Sequence, residues 1–254
     1  MSSFATYPSL VDRTVLITGG ASGIGESFVT HFADQGAKVA FLDVADEAGQ
    51  ALATRLADRR HAPICLRCDL ADVDALREAV TQVRARFGPI GVLVNNAAND
   101  VRHAIEDTTV DDFDRSLATN LRHQYFATQT VLPDMRQAQA GSIICLGSTG
   151  WMKKNAGYPM YATAKAAVVG FVYGMARELG RDRIRINCLV PGWVITPKQR
   201  QLWLNEEGEA EIRRVQCLPG HLMPDDLARM ALFLAADDSR MCTGQNVIVD
   251  GGWV

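Results

Sequence analysis

A tyrosine and a lysine stand four residues apart in the segment YATAK, at Tyr161 and Lys165. In a helix this spacing places both side chains on one face, one turn apart. A free tyrosine has a pKa of about 10, too high for an efficient base at neutral pH, and a nearby ammonium lowers that pKa by favouring the phenolate. The pair could therefore move a proton to or from a reacting oxygen. By spacing alone it could equally be a chance surface pair.

Two further side chains bear on this interpretation. Ser148 lies just after the apolar run of GSIICLGS and could hydrogen-bond the oxygen of a substrate, and the GS dipeptide before the loop favours it over Thr149. Tyr158 is a rival to Tyr161, but the residue four positions beyond it is Ala162 rather than a lysine. We therefore assign Tyr158 to packing or to the wall of a pocket.

A glycine-rich turn occurs near the start of the chain, in TVLITGGASGIGESF, where Gly19, Gly23 and Gly25 separate a predicted strand from a predicted helix. Glycines at this point allow a tight turn and the close approach of a pyrophosphate to the helix N-terminus. Asp43 ends the next predicted strand, where a carboxylate can accept hydrogen bonds from a ribose 2′-OH and repel a 2′-phosphate. The turn predicts a dinucleotide site, and Asp43 favours NAD and disfavours NADP. Alternatively, Asp43 only caps the following turn.

The elements that must position these residues follow from the hydrophobic pattern. Short apolar runs alternate with segments of helical periodicity, which predicts βαβ units. We expect a single Rossmann-type α/β domain over residues 1–254, with a doubly wound parallel sheet of about seven strands and helices on both faces. A long helix is predicted from about residue 110 to residue 136, interrupted near Pro133. The polar segment at about 193–220 is too long for an ordinary connection and predicts a substrate loop.

Composition argues against several other classes of protein. The net charge of −3 and the lack of a long basic run argue against nucleic acid as a partner. No apolar stretch reaches the roughly 18–20 residues of a membrane helix, and the N-terminus lacks the pattern of a signal peptide, so we expect a cytoplasmic protein. Cys65 and Cys68 form a CxxC without a second pair, which predicts core residues and no metal site.

Taken together, these motifs resemble the short-chain dehydrogenase/reductase family, and the resemblance covers nearly the whole chain. The matching positions are, in chain order, the TGxxxGIG turn at 18–25, the NNAA segment at 95–98, Asn120, Ser148, the Tyr161–Lys165 pair and the Pro-Gly dipeptide at 191–192. The sequence departs from the family at Ala98, where glycine is more usual. Alanine is the smallest possible change there, so cofactor binding should survive it.

The resemblance implies a catalytic role for four of these residues. Tyr161 is expected to act as the acid or base, and Ser148 to orient the reacting oxygen. Lys165 is expected to bind the nicotinamide ribose in addition to acting on the phenol. Asn120 is expected to hold a water molecule that links Lys165 to solvent.

The resemblance also implies a set of cofactor contacts, with Asp69 and Leu70 beside the adenine. The full set is Gly19, Ser22, Gly23, Ile24, Gly25, Asp43, Asp69, Leu70, Asn96, Ala97, Ala98, Tyr161, Lys165, Pro191, Gly192, Val194 and Thr196. Members of the family usually form homodimers or homotetramers through the helices near 110–136 and 158–180. The second of these helices has a face of small residues that suits such a contact, although that face could equally pack on its own sheet.

Three stretches at 95–103, 148–161 and 191–203 combine polar residues with tryptophans near the expected ligand-binding edge of the sheet. Such a lining suits a polyhydroxylated ligand, whose hydroxyls need donors and acceptors and whose C–H faces pack on aromatic rings. Alternatively, these charges form a solvated rim. The candidate substrate contacts are Asn99, Arg102, Ser148, Trp151, Tyr161, Trp193 and Gln199, within a polar run that also contains Asp100 and His103.

Within the family, the NNAANDVRH run, NLRH at 120–123 and the ending CTGQNVIVDGGWV resemble bacterial aldose 1-dehydrogenases of the D-xylose, L-arabinose or L-fucose type. The resemblance implies oxidation of the C1 hydroxyl of a cyclic sugar to the lactone with NAD(P)+. Alternatives are a polyol dehydrogenase, or a reductase of a 3-oxoacyl or keto-deoxy sugar acid that would use Arg102, Lys153 or Lys154 to bind a carboxylate. A non-catalytic dinucleotide sensor is a further alternative, but it would not need the four catalytic positions.

Overall fold

Seven strands form one sheet in the part of the chain that the computed structural model describes, residues 4–102 and 104–254. His103 of the polar run lies outside the described residues. The strands are β1 (Thr14–Thr18), β2 (Lys38–Asp43), β3 (Ile64–Arg67), β4 (Val92–Asn95), β5 (Gly141–Leu146), β6 (Ile184–Pro191) and β7 (Asn246–Val249).

Helices connect the strands. They are α1 (Gly23–Asp34), α2 (Asp46–Arg55), α3 (Val73–Phe87), α4 (Val110–Leu117), α5 (His123–Ala138), α6 (Pro159–Gly180), α7 (Pro197–Leu202), α8 (Glu206–Val215) and α9 (Pro224–Ala235). No helix of the described residues is both long and apolar enough to cross a membrane.

The strand order is β3-β2-β1-β4-β5-β6-β7, and every neighbouring pair is parallel. The predicted doubly wound parallel sheet is therefore confirmed. The order reverses between β1 and β4, where Thr18 lies beside Asn95 at the carboxyl ends of the two strands. Ligands of open α/β sheets bind in the crevice outside such a reversal.

The sheet is buried on both faces, as expected for parallel strands covered by helices. Successive residues of β1 point to opposite faces, so Val15 and Ile17 belong to one apolar cluster and Leu16 to the other. The first cluster includes Phe28 of α1, and the second includes Val131 of α5. Packing on both faces fixes the carboxyl ends of the strands as a rigid platform.

The long helix predicted for 110–136 is irregular at a different place from the one we expected. Pro133 lies inside α5, and the α-helical pattern gives way instead to a π-helical turn at Ala118–Arg122. Pro133 is exposed, so water can bond the carbonyl that the proline leaves without a partner. A π-turn inserted in an α-helix often marks a functional site, and this one contains Asn120.

The small-residue face of α6 does not pack on the chain's own sheet. Gly170 and Gly174 are exposed, and a Cβ atom built on either residue would meet open space. The sequence left open whether this face suits a contact with another subunit or packs on the chain's own sheet. In the structure the face is turned away from the sheet.

Cys65 and Cys68 lie in the core with free thiols. Burial raises the pKa of each thiol to about 11, so both are protonated at neutral pH. No group of three or more His, Cys, Asp or Glu side chains in the described ranges is arranged to hold a metal ion.

Candidate active site

The turn between β1 and α1 is too crowded for side chains. Gly19 has a φ of +68° and Gly23 one of +58°, both in the region that favours glycine. A Cβ atom on Gly19 would lie 2.7 Å from the Cα of Ala97, and one on Gly25 would overlap the carbonyl oxygen of Gly19. The glycines therefore bring the backbone of this turn close to the loop after β4 and leave the N-terminus of α1 accessible.

The loop after β4 is tied to this turn by hydrogen bonds. The Nδ2 of Asn96 donates to the carbonyls of Thr18 and Gly19 at 3.1 and 2.7 Å. The Oγ1 of Thr18 accepts from the backbone N–H groups of Asn96 and Ala97 at 3.0 and 3.1 Å. The two halves of the predicted cofactor site thus form one rigid unit.

The carboxylate of Asp43 lies beside the glycine-rich turn. One oxygen accepts from the backbone N–H of Ala21 at 2.9 Å, and the other accepts from that of Ala45 at 3.0 Å. The bond to Ala45 is the local capping bond that the alternative interpretation of Asp43 predicts. The bond to Ala21 is not a capping bond, because it joins Asp43 to the glycine-rich turn. Each oxygen retains lone pairs that could accept from a hydroxyl group.

A cleft with a volume of about 720 Å³ runs along this edge of the sheet. Its volume lies within the range of small-molecule and cofactor sites. It brings together fifteen of the residues predicted for the site: Gly19, Ser22, Ile24, Gly25, Asp43, Asp69, Leu70, Asn96, Ala97, Ala98, Asn99, Asn120, Tyr161, Thr196 and Gln199.

Other predicted residues lie behind the wall of this cleft. A Cβ on Gly23 would approach Thr196 to 3.3 Å, and one on Gly192 would approach Asp250 to 2.6 Å, so both glycines permit close packing. Pro191 ends β6 in the core, and Val194 is buried in a bridge with Leu222, just beyond the predicted substrate segment.

Asn120 pins the loop that follows β4. Its Oδ1 accepts from the backbone N–H of Asn99 at 2.8 Å, and its Nδ2 donates to the carbonyl of the same residue at 3.0 Å. Its own carbonyl accepts from the Nε2 of Gln124 at 3.2 Å. The π-helical turn thus holds Asn99 in place at the cleft.

The phenol of Tyr161 hydrogen-bonds Ser148, whose Oγ also accepts from the backbone N–H of Gly150 at 3.0 Å. Burial raises the pKa of Tyr161 to about 12, the bond to Ser148 opposes that rise, and the negative charge of Asp100 adds to it. The expected lowering of this pKa by Lys165 is not found in this structure, because desolvation of the phenol dominates. The site residues are adjacent, but the phenol is held in its protonated form.

Lys165 is buried at the end of β5. It is 1% exposed, its Nζ donates to the carbonyl of Leu146 at 2.7 Å, and the same nitrogen lies 5.7 Å from the centre of the Tyr161 ring. Burial lowers the pKa of Lys165 to about 8. The buried imidazole of His123 lies nearby, and burial, with a smaller contribution from Lys165, lowers its pKa to about 3. His123 is therefore neutral, and its Nε2 lies 3.5 Å from the Oγ1 of Thr18.

Arg102 brings together three segments of the chain through contacts with two aromatic rings. Its guanidinium lies 3.7 Å from the centre of the Trp203 ring and 5.5 Å from that of Tyr158. Tyr158 in turn packs edge-on against Tyr161, with 5.9 Å between ring centres. Arg102, predicted as a substrate contact, thus lies on aromatic rings. Of the two roles that the sequence left open for Tyr158, the contact with Tyr161 matches packing.

A second set of contacts joins the loop after β4 to α7. Lys198 pairs with Oδ1 of Asp100 at 2.7 Å, and the Nε2 of Gln199 donates to Oδ2 of Asp100 at 3.3 Å. The Oε1 of Gln199 accepts from the Nε1 of Trp193 at 2.9 Å. Trp193 itself lies under α8, where a Cβ on Gly208 would approach its ring to 2.8 Å. Trp193 therefore supports Gln199 and does not line the cleft.

The chain terminus returns to this region, which sequence reasoning missed. The ring of Trp253 lies 6.3 Å from that of Trp193, and the Nζ of Lys153 lies 3.5 Å from the centre of Trp253. Trp151, predicted as a substrate contact, is 38% exposed and is not among the described residues that line the cleft. No local pattern indicates that Trp253 folds back here, because its contacts are all distant in sequence.

Sequence reasoning also passed over several residues of the cleft wall. Asp100 was noticed only as part of a polar run, and Arg115 and Met160 were not singled out, yet all three line the cleft. Met160 precedes Tyr161 in YPMYATAK, so its proximity was available from the sequence. Arg115 required the path of α4 to be known.

Comparison with known proteins relates the whole arrangement to a family of oxidoreductases. A family model described as enoyl-(acyl carrier protein) reductase matches residues 19–254. D-Xylose 1-dehydrogenase of Caulobacter vibrioides is 45% identical over 251 residues, covering 99% of both chains. The probable galactose dehydrogenase GalD of Rhizobium meliloti is 44% identical over 247 residues, covering 97% of this chain and 96% of that protein.

Solved structures agree with these relatives. The short-chain dehydrogenase/reductase from Serratia marcescens superposes with a TM-score of 0.89 at 31% identity. The superposition covers 96% of this chain and 99% of that one.

Proposed function

This chain belongs to the short-chain dehydrogenase/reductase family, and on that basis we propose that it oxidises the C1 hydroxyl of a cyclic aldose to the aldonolactone with NAD+. The observation that carries the proposal is the single cleft in which the glycine-rich turn and Tyr161 meet the polar residues Asn99, Asp100 and Gln199. Near-full-length similarity to two sugar dehydrogenases supports the choice of substrate.

The residues around the cleft fit a dinucleotide. Because Gly19 and Gly25 carry no Cβ, the turn packs closely on itself and on Ala97, and a tight turn of this kind lets its backbone approach a pyrophosphate. Asp43 at the end of β2 suits the ribose hydroxyls and disfavours a 2′-phosphate, so we propose NAD as the preferred cofactor. When bound, the nicotinamide supplies the acceptor for the hydride that leaves C1.

Residues of the chain itself transfer the proton of the C1 hydroxyl. Tyr161 acts as the base in its phenolate form: it first gives up its own proton and then accepts the proton of the C1 hydroxyl as the C1–H bond breaks, which leaves a C1=O double bond in the lactone. Ser148, already bonded to the phenol, orients the substrate oxygen. Lys165, fixed by the carbonyl of Leu146, places a cation beside the tyrosine and favours its ionised form during the reaction.

The three cations that the sequence offers for binding a carboxylate are not placed to do so in the cleft. Binding a carboxylate would need a free cation at the cleft, and the sequence offered Arg102, Lys153 and Lys154 for this purpose. The guanidinium of Arg102 lies on Trp203, and the ammonium of Lys153 lies on Trp253. None of the three is among the described residues that line the cleft, where Arg115 of α4 is the one lysine or arginine.

Initial rates across two substrate classes test the proposal. D-Xylose, D-galactose, L-arabinose and L-fucose are assayed with NAD+ and with NADP+, and 3-oxoacyl and keto-deoxy sugar acids with NADH. Protein carrying Tyr161→Phe, purified in parallel, controls for contaminating enzymes. We expect NADH formation with at least one aldose and higher kcat/KM with NAD+ than with NADP+. Activity confined to the keto acids would overturn the proposal.

A further inference from the structure

We propose that Asp100 and Gln199 form an acceptor–donor pair that binds two neighbouring hydroxyl groups of the sugar, away from the carbon that reacts. This inference rests on the proposed oxidation of an aldose and adds the part of the site that selects the substrate. The sequence motifs leave Asp100 without a role. This inference makes it a substrate-binding residue.

Both residues are in position to meet a ligand that reaches Tyr161. Asp100, in the loop between β4 and α4, and Gln199, in α7, line the same cleft as the phenol. Asp100 is near enough to Tyr161 for its charge to act on the phenol. A sugar whose C1 hydroxyl contacts Tyr161 therefore directs its other hydroxyls toward this part of the wall.

The orientation of the Gln199 amide is fixed by its neighbour. The indole N–H of Trp193 can only donate, so its 2.9 Å contact is made with the carbonyl oxygen of the amide. The Nε2 group must then face Asp100, to which it donates at 3.3 Å. Within residues 4–102 and 104–254, Nε2 has no second acceptor, so one N–H remains for a hydroxyl.

Asp100 is held as an ionised acceptor. Burial opposes its ionisation, but the hydrogen bond and charge of Lys198 outweigh that effect and lower its pKa. An ionised carboxylate accepts hydrogen bonds only, and it has more lone pairs than Lys198 and Gln199 use. Hydroxyl groups can supply the missing donors.

The contact between Gln199 and Asp100 is the longest hydrogen bond among those that join Trp193, Gln199, Asp100 and Lys198. At 3.3 Å it is longer than the usual 2.9–3.0 Å of an N–H···O bond. A sugar hydroxyl that enters here can accept from Gln199 and donate to Asp100, and its neighbour on the ring can donate to the second carboxylate oxygen. A carboxylate and an amide at this spacing match a vicinal diol, whereas an acyl chain would leave both unpaired.

Two substitutions separate this role from a structural one. Asp100→Asn removes the charged acceptor and keeps the shape, and Lys198→Met breaks the ion pair and keeps the carboxylate. We expect Asp100→Asn to lower kcat/KM for the sugar by about 10-fold to 100-fold, the loss typical of a hydrogen bond to a charged group. Lys198→Met should cost much less, and KM for NAD+ should stay within about twofold in both.

Deoxy sugars provide a second measurement that depends less on the variants. Among the monodeoxy forms of the best substrate, those lacking either hydroxyl of one vicinal pair should be poor for the wild type. When Asp100 is replaced by alanine, kcat/KM for these deoxy sugars should fall little further, because the missing hydroxyl and the missing carboxylate would have bound each other.

Three results would overturn the inference while the proposed function stands. The first is an active wild type whose Asp100→Asn variant keeps its kcat/KM. The second is an equal fall in kcat/KM in Asp100→Asn and Lys198→Met. The third is a set of deoxy sugars for which the effects of the missing hydroxyl and of Asp100→Ala on kcat/KM are additive in every case. A wild type that oxidises no aldose would refute the proposed function, and the inference with it.

Discussion

The ammonium nitrogen of Lys165 lies 5.7 Å from the centre of the Tyr161 ring and donates a 2.7 Å hydrogen bond to the carbonyl of Leu146. The last residue of β5 therefore holds the lysine below the tyrosine. Burial lowers the pKa of Lys165 to about 8 and raises that of Tyr161 to about 12. Both shifts favour the neutral forms, but at neutral pH only the phenol is neutral, and Lys165 is still mostly protonated.

Replacing Tyr161 by phenylalanine should remove the group that accepts the proton. We expect kcat to fall by about 100-fold to 10,000-fold, the range of general acid–base catalysis, with the Kd for NAD+ nearly unchanged. Tyr158→Phe is the matched control, because Tyr158 packs edge-on against Tyr161 but has no lysine one turn away. A Tyr161→Phe enzyme that retained most of its activity would exclude Tyr161 as the base.

Lys165 should make stability depend on pH in a defined direction. Between about pH 8 and about pH 10.5 the unfolded chain holds this lysine protonated while the folded chain does not, so the unfolded state binds more protons and stability rises with pH. The difference in unfolding free energy between wild type and Lys165→Met should therefore shift in favour of the wild type over this window. The full shift is about 3 kcal/mol.

Urea denaturation of both proteins at pH 7.5 and pH 10 measures this shift, because all other titrating groups are common to the two chains. A difference that does not change with pH would mean that Lys165 is not held neutral by burial. A change of the opposite sign would mean that an anionic partner stabilises its charge.

Asp43 should decide between the two dinucleotides. Asp43→Ala removes both the acceptor for ribose hydroxyls and the charge that repels a 2′-phosphate, so kcat/KM should fall with NAD+ and rise with NADP+. Asp46→Ala is the control, because it removes the same charge three residues along the chain, at the exposed start of α2. An unchanged ratio of the two cofactors in Asp43→Ala would assign Asp43 to capping alone.

Two glycine substitutions should have opposite outcomes. Gly25→Ala places a methyl group on the carbonyl oxygen of Gly19 and 2.8 Å from the Nδ2 of Asn96, and we expect it to destabilise the fold by about 1–3 kcal/mol and weaken NAD+ binding. Gly174→Ala adds a methyl group in open space within α6 and should stabilise by about 0.5–1 kcal/mol. Thermal and urea unfolding measure both. Equal effects would show that the turn is less crowded than the structure indicates.

The sequence predicted the framework because its signals are local. The strand–glycine–helix pattern around Gly19 and Gly25, and the four-residue spacing of Tyr161 and Lys165, each act within one or two elements. The right-handedness of βαβ units then leaves only a handful of possible strand orders. The π-turn at Asn120 was missed because the proline at 133 gave a stronger local signal than any residue near 120.

The substrate side could not be predicted to the same depth, because its contacts join segments that are distant in the chain. Asp100 meets Lys198 across 98 positions, and no local pattern specifies such a pair. Trp193 was expected to touch the substrate on the strength of its aromatic ring. Its packing under Gly208 depends on where α8 folds back, and that is set by tertiary structure alone.

The most direct test of the account follows the hydrogen that leaves C1. The enzyme is incubated with NAD+ and with its best aldose carrying deuterium at C1, and the reduced cofactor and the sugar product are examined by mass spectrometry. We predict that the deuterium appears in the reduced cofactor, with a lactone as the product. Reduced cofactor without deuterium, formed while the sugar keeps its label, would show that oxidation takes place at another carbon and would contradict the proposed reaction.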